Sequence, residues 1–295
     1  MAGILVTGAS GFIGRPLLTA LAEAGFAPRP AYRVLPTPRP RDSIAVGALN
    51  GATDWGRALE DIDQVVHLAG PAHRRAEPED YRHGVVEASA ALAAQAAAAG
   101  VKRLLFISSV KAGGERGAPL RESDEPKPES DYGRAKLEAE RAILIHASVS
   151  PVVLRPPLVH APDARANFGQ LLRLADTPLP LPLAGLSNRR SVIARDHLIT
   201  TILAVLKKPD APSGVFYVAD RPALTVAEML IALRAGMGRP ANLFQWDAAA
   251  RRLPAQLTEP LEVDDAAFRA AFGFAPEVDA HEALRRCGAA WKARG

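Results

Sequence analysis

A single cysteine, Cys287, occurs in the 295 residues. One thiol excludes an internal disulfide and fits a reducing, cytoplasmic setting. No apolar run reaches membrane-spanning length, and the first strand pattern begins at Ile4. The sequence therefore predicts neither a signal peptide nor a membrane anchor. A basic cluster is also missing: 36 lysines and arginines against 32 acidic residues give a net charge of +4, spread along the chain. That spread predicts no nucleic-acid partner and leaves the arginines for anionic small ligands and solvated faces. No internal repeat is visible, and no metal site is expected. With 48% hydrophobic and 23% charged residues, the remainder suits a soluble globular protein. Its length allows one domain, or a large domain with a smaller one.

The most informative stretch runs from Gly3 to Leu18. Ile4-Leu5-Val6 reads as a buried strand. Gly8, Gly11 and Gly14 follow, spaced three apart, and Leu17, Leu18 and Leu21 then mark one helix face. Strand, glycine-rich turn and helix together have the form of a dinucleotide site. Gly8 allows the tight turn, Gly11 keeps side-chain atoms away from a pyrophosphate, and Gly14 permits close helix packing. The turn as a whole, with Ser10, Phe12 and Ile13, would place free N–H groups at the phosphates.

Downstream, strands alternate with helices. Strands are expected near 30–34, 43–48, 64–70, 104–109 and 152–155, and helices near 15–24, 55–59, 81–99 and 131–146, the last capped by Ser130 or Asp131. Residues 115–130 read as a polar, proline-rich loop. This alternation predicts an α/β fold, a Rossmann-type doubly wound parallel sheet. A smaller, discontinuous α/β substrate domain should accompany it. We expect 1–162 plus 191–219 to form the dinucleotide-binding domain and 163–190 plus 220–295 the substrate domain. In such sheets ligands lie beyond the carboxyl ends of the strands. Gly8 to Gly14, Arg33, Leu68-Ala69-Gly70, Ser108 to Gly113 and Pro156-Pro157 all fall at those ends.

Tyr132 and Lys136 stand four residues apart, on one face of the 131–146 helix. An ammonium near a phenol favours the phenolate, which would make Tyr132 a proton donor and acceptor near neutral pH. Ser108 and Ser109 end the preceding strand, where a hydroxyl can hold a reacting oxygen.

Thr7-Gly8-x-x-Gly11-x-x-Gly14, Ser108-Ser109 and Tyr132-x-x-x-Lys136 resemble the extended short-chain dehydrogenase/reductases, the NAD-dependent epimerase/dehydratase family. His67-Leu68-Ala69, Leu154-Arg155-Pro156-Pro157 and Asn188-Arg189-Arg190-Ser191 extend the likeness. It is nearest to bacterial UDP-sugar 4-epimerases and 4-ketoreductases, often of polysaccharide biosynthesis. The resemblance implies Ser109, Tyr132 and Lys136 as catalytic residues, with Ser108 the neighbour of the catalytic serine. It implies Tyr132, Lys136 and Pro156, together with the glycine turn and Leu68 to Gly70, as cofactor contacts. Ser109, Lys111, Asn167 and Arg189 are implied for the nucleotide-sugar substrate, with Arg190 in place of Arg189 if the register is one residue off. Homodimerisation through the 81–99 and 131–146 helices is also implied. The chain departs from the family pattern at Val85, where an asparagine is usual, and at His160, Ala161, Ala48 and Gly113.

The residue that reads the adenine ribose should end the second strand. Tyr32 and Arg33 stand there, with no aspartate. Arg33, helped by Arg39 or Arg41, would pair with a 2′-phosphate, so NADP(H) is expected ahead of NAD(H). An exchanging NADP(H) points to reduction of a 4-keto UDP-sugar. The alternatives are a UDP-sugar 4-epimerase that retains NAD and a non-catalytic NADP(H) sensor.

Overall fold

The computed structural model describes residues 2–70, 77–245 and 259–294. The chain starts with β1 (Gly3–Thr7), α1 (Gly14–Glu23), β2 (Ala27–Tyr32) and the short β3 (Ile44–Ala45). Next come α2 (Gly56–Leu59), β4 (Gln64–His67) and α3 (Pro78–Tyr81). A π-helical stretch, Arg82–Glu87, joins α3 to α4 (Ala88–Ala98). β5 (Arg103–Ile107), α5 (Val110–Gly113), β6 (Gly117–Leu120) and α6 (Asp131–Leu144) follow. Then come β7 (Val152–Arg155), β8 (Leu158–His160), α7 (Ala166–Ala175), β9 (Arg189–Arg190) and β10 (Val192–Ala194). The chain continues through α8 (Arg195–Leu206), β11 (Gly214–Tyr217), β12 (Leu224–Thr225) and α9 (Val226–Gly236). β13 (Leu261–Val263), α10 (Ala266–Phe272) and α11 (Ala280–Lys292) complete it.

Seven strands form one parallel sheet in the order β3-β2-β1-β4-β5-β7-β11. Its strands alternate their side chains between two cores, as a pleated backbone requires. Leu5, Val65, Leu104 and Val153 face one side, where they meet Leu92 of α4 and Ile143 of α6. Ile4, Val66, Leu105 and Leu154 face the other, against Leu17 of α1, Ile202 of α8 and Phe268 of α10. Both faces are covered, which explains the near-continuous apolar runs of the central strands. Fully burying each such side chain contributes about 1.5–3 kcal/mol. A third core gathers Phe168 of α7, Leu230 of α9 and Leu284 of α11.

Several boundaries differ from the sequence reading. β2 begins at Ala27 rather than near residue 30, and includes Pro28 and Pro30. The two prolines are two apart, so both present their N–H-less side to the same edge. The N–H of Ala27 serves the opposite side, donating to Ala2, while β3 pairs only with Ala31 and Tyr32, beyond the prolines. The 115–130 segment is not wholly loop. It contains β6, which pairs with β13 in a small sheet of order β12-β9-β13-β6. β10 joins β8 rather than the main sheet; of the 191–219 segment, β11 enters that sheet, while α8 and Ile193 of β10 pack against it. Among the described residues, no helix is long and apolar enough to cross a membrane.

Candidate active site

The turn after β1 is built on close backbone approach. Gly8 has φ +68°, and a Cβ there would lie 2.9 Å from the Ala69 nitrogen at the end of β4. A Cβ on Gly14 would lie 2.2 Å from the Gly8 carbonyl oxygen. α1 therefore starts hard against the turn, as the spacing predicts. No side chain caps its N-terminus and no acidic residue stands in its first turn. Free amides, a positive dipole end and a cradle that any Cβ would fill suit a diphosphate.

Thr7 fixes the neighbouring strand end. Its Oγ1 accepts from the N–H groups of Leu68 and Ala69, each at 3.2 Å, and pairs with His67 Nδ1 at 2.7 Å. With its lone pairs used, Thr7 donates its proton to Nδ1. The imidazole proton is then on Nε2 and donates to Ser89 at 2.9 Å. Burial, reinforced by the charge of Lys136, lowers the His67 pKa to about 3, so the ring is neutral. Leu68 and Ala69 are thus held beside the glycine turn, while Gly70, next in the chain, faces Val85 and Gly84.

Ser130 caps α6, accepting from the Gly133 N–H. On that helix, Tyr132 lies beside Ser109, which ends the loop after β5 and caps α5. Lys136 is 4% exposed, donates to the Ile107 carbonyl at 3.0 Å and lies 4.5 Å over the Phe106 ring. Its Nζ is 5.9 Å from the centre of the Tyr132 ring. Burial lowers the Lys136 pKa to about 8, with Glu140 opposing. The sequence reading expected the lysine to lower the phenol. In this geometry burial dominates instead and raises Tyr132, helped by Tyr81, while the Ser109 hydroxyl pulls it down. Tyr81 meets Tyr132 edge-on at 5.9 Å. It flanks the phenol from α3, and no sequence spacing signals that contact.

The adjacent serines differ. Ser108 donates to buried Glu140, whereas Ser109 faces Tyr132. The Pro156 carbonyl accepts from Val110 at 2.9 Å, pinning the end of β7 to α5. Lys111 is held away in an ion pair with Glu115 at 2.8 Å. Burial alone would raise Glu115, but hydrogen bonds from Lys111 and Ser130 leave its pKa lowered. Asn167 is exposed in the first turn of α7. Among the described residues, Arg189 contacts the Ala223 carbonyl at 2.6 Å and Glu228 at 3.4 Å. Arg190 turns to the Glu259 carbonyl at 2.5 Å. Arg33 is exposed just past β2, with no hydrogen bond or ion pair to any described residue. Arg39, expected to help it, instead closes its own loop on the Ser43 carbonyl at 2.8 Å.

A Rossmann-type parallel sheet, a glycine turn at the end of β1 and a tyrosine–lysine helix beyond β5 define an enzyme of the extended short-chain dehydrogenase/reductase class. A model of the NAD dependent epimerase/dehydratase family matches residues 4–219, and the chain belongs to that family. It is 35% identical over 250 residues to a UDP-glucose 4-epimerase of Vibrio cholerae, an alignment covering 80% of this chain and 76% of that one. The UDP-N-acetylglucosamine 4-epimerase from Bacillus cereus shares the fold, with TM-score 0.83 and 19% identity over 99% of this chain and 100% of that one. MoeE5 in complex with UDP-glucose and NAD matches at TM-score 0.80 and 25% identity, over 99% of each chain.

Proposed function

We propose that the chain is an oxidoreductase acting at C4 of a UDP-sugar, and that it reduces the 4-keto form using NADP(H). The observation that carries the reading is the grouping of Ser109, Tyr132 and Lys136 at the sheet edge that also bears the glycine turn. A bound nicotinamide supplies the hydride. Ser109 holds the sugar oxygen, Tyr132 gives that oxygen its proton, and Lys136 steadies the phenolate that remains. With its pKa near 8, Lys136 still carries its charge at neutral pH. The free guanidinium of Arg33 supports a 2′-phosphate, and hence an exchanging cofactor.

Residues 163–190 and 220–295 serve as the substrate lobe in this reading, with Asn167 and Arg189 on the diphosphate. Arg189 must leave Glu228 to reach it, which costs little because an exposed pair contributes only about 0–1 kcal/mol. A homodimer through α4 and α6 belongs to the same proposal.

A second reading, a UDP-sugar 4-epimerase with retained NAD, is favoured by the 35% identity to the Vibrio cholerae enzyme. Denaturing freshly purified protein and identifying any released dinucleotide separates the two. Stoichiometric NAD means the epimerase. A vacant site that then binds NADPH more tightly than NADH means the reductase. In either case Tyr132→Phe should lower turnover at least a hundredfold. Near-normal turnover would remove Tyr132 from the chemistry.

A further inference from the structure

Pro16 stands in the first turn of α1 and has no N–H. In a helix the N–H of one residue bonds the carbonyl four residues earlier, so Pro16 leaves the Phe12 carbonyl without its helical donor. The carbonyls on either side are served. Arg15 donates to Gly11 at 3.2 Å and Leu17 to Ile13 at 3.1 Å. The gap falls within the turn that faces the phosphates in the reading above.

Arg195 fills it from 183 residues away in sequence. As the first residue of α8, it brings Nη1 to 3.5 Å from the Phe12 carbonyl oxygen, a long contact that a full positive charge strengthens. The guanidinium carbon lies 4.8 Å from the centre of the Phe12 ring. Asp163 holds the same Nη1 at 2.6 Å, and the side chain is 14% exposed. The Nε is buried without a hydrogen-bond partner among the described residues. The cation is thus gripped on three sides: a carboxylate, a ring face and a carbonyl.

The Phe12 carbonyl and the Ile13 N–H belong to one planar peptide unit and point in opposite directions. A cation at the carbonyl end fixes that plane and polarises it, which makes the Ile13 N–H a better-aimed and stronger donor. We infer that Arg195 is a positioning residue for the diphosphate subsite, acting through the Phe12–Ile13 peptide. Asp163 lies between β8 and α7, so the same ion pair ties the phosphate turn to the segment leading into α7. This inference rests on the reading of the Gly8–Gly14 turn as a dinucleotide site.

The test compares wild type, Arg195→Met and Arg195→Lys by titration calorimetry with NADH, NADPH, ADP and adenosine. Ligand-free melting of each variant is recorded alongside. Arg195→Met should weaken the preferred dinucleotide and ADP by the same factor, roughly tenfold, the value of one charge-assisted hydrogen bond. Adenosine, which lacks phosphate, should bind unchanged, and Arg195→Lys should recover part of the loss. A lower melting temperature with unaltered ligand affinities, or an equal loss with adenosine, overturns the inference by reducing Arg195 to a structural role. Wild-type protein that binds neither dinucleotide nor ADP would show instead that the site reading itself had failed.

Discussion

Arg155 of β7 and Glu140 of α6 meet in a buried ion pair, with Nη2 2.6 Å from Oε2 and neither side chain more than 4% exposed. Arg155 Nε adds contacts at 3.0 and 3.2 Å to the two carboxylate oxygens. Glu140 also accepts from Ser108, and Arg155 Nη1 donates to the Tyr217 hydroxyl at 3.1 Å. Glu140 lies four residues beyond Lys136 and eight beyond Tyr132, so it shares their helix face. The pair therefore sets how α6 sits on the sheet, and with it the height of the tyrosine and lysine.

Removing one partner strands a buried charge. Glu140→Met or Arg155→Met alone should each cost about 3–5 kcal/mol of folding stability. The double variant should recover much of that loss, because two apolar side chains leave no unpaired charge. Urea denaturation of the four proteins measures the coupling. Strictly additive losses would show that the pair contributes nothing as a pair.

Gly113 explains its own place in the sequence through the same network. A Cβ there would lie 1.7 Å from the Tyr217 hydroxyl oxygen and 3.0 Å from Arg155 Nη1. Gly113→Ala should destabilise by about 1–3 kcal/mol through overpacking. Tyr217→Phe in the Gly113→Ala background should return part of that, since it removes the nearest atom. If the second change makes matters worse by its usual amount, the overlap is not with the hydroxyl.

These cases mark where the sequence could be read and where it could not. The glycine turn, the apolar strands and the tyrosine–lysine pair announce themselves because their signals are periodic and local, within a few residues of chain. The seven-stranded parallel sheet follows from the same alternation. The Gly113–Tyr217 overlap and the Arg195–Phe12 contact join residues more than a hundred positions apart, and only packing brings them together. β6 carries no local strand signal, because its partner β13 is far along the chain and a proline stands within it. β2 starts at Ala27, ahead of the expected 30–34, and only the sheet shows why Pro28 and Pro30 are tolerated: both face the edge that β3 leaves unpaired.

His67 gives the fold a pH dependence with a definite sign. Its ordinary pKa is 6.5 and burial lowers it to about 3. Below pH 6.5 an unfolded chain takes a proton that the folded chain refuses, so stability falls as pH drops from 6.5 toward 3. At 1.36 kcal/mol per unit this one group removes roughly 4 kcal/mol across that window. His67→Gln keeps polar contacts for Thr7 and Ser89 but does not titrate. Its stability, followed by denaturant unfolding at several pH values, should fall less steeply over the same range. Parallel curves for variant and wild type would remove His67 as the cause.

In the proposed reading, the charge of Arg33 sets the choice between the two cofactors. It is exposed at the end of β2 with no hydrogen bond or ion pair to any described residue, so its guanidinium is free to serve a ligand. A 2′-phosphate would receive a charge-assisted, fork-shaped contact worth about 1.5–3 kcal/mol. Arg33→Ala should therefore weaken NADPH by at least tenfold and leave NADH nearly unchanged. Arg33→Asp should go further, repelling the phosphate while offering a carboxylate to the ribose hydroxyls of NADH. Fluorescence titration of both reduced cofactors against the three proteins reads the ratio directly. If Arg33→Ala weakens both cofactors alike, the guanidinium stacks on the adenine they share, and the preference for NADPH has no residue behind it.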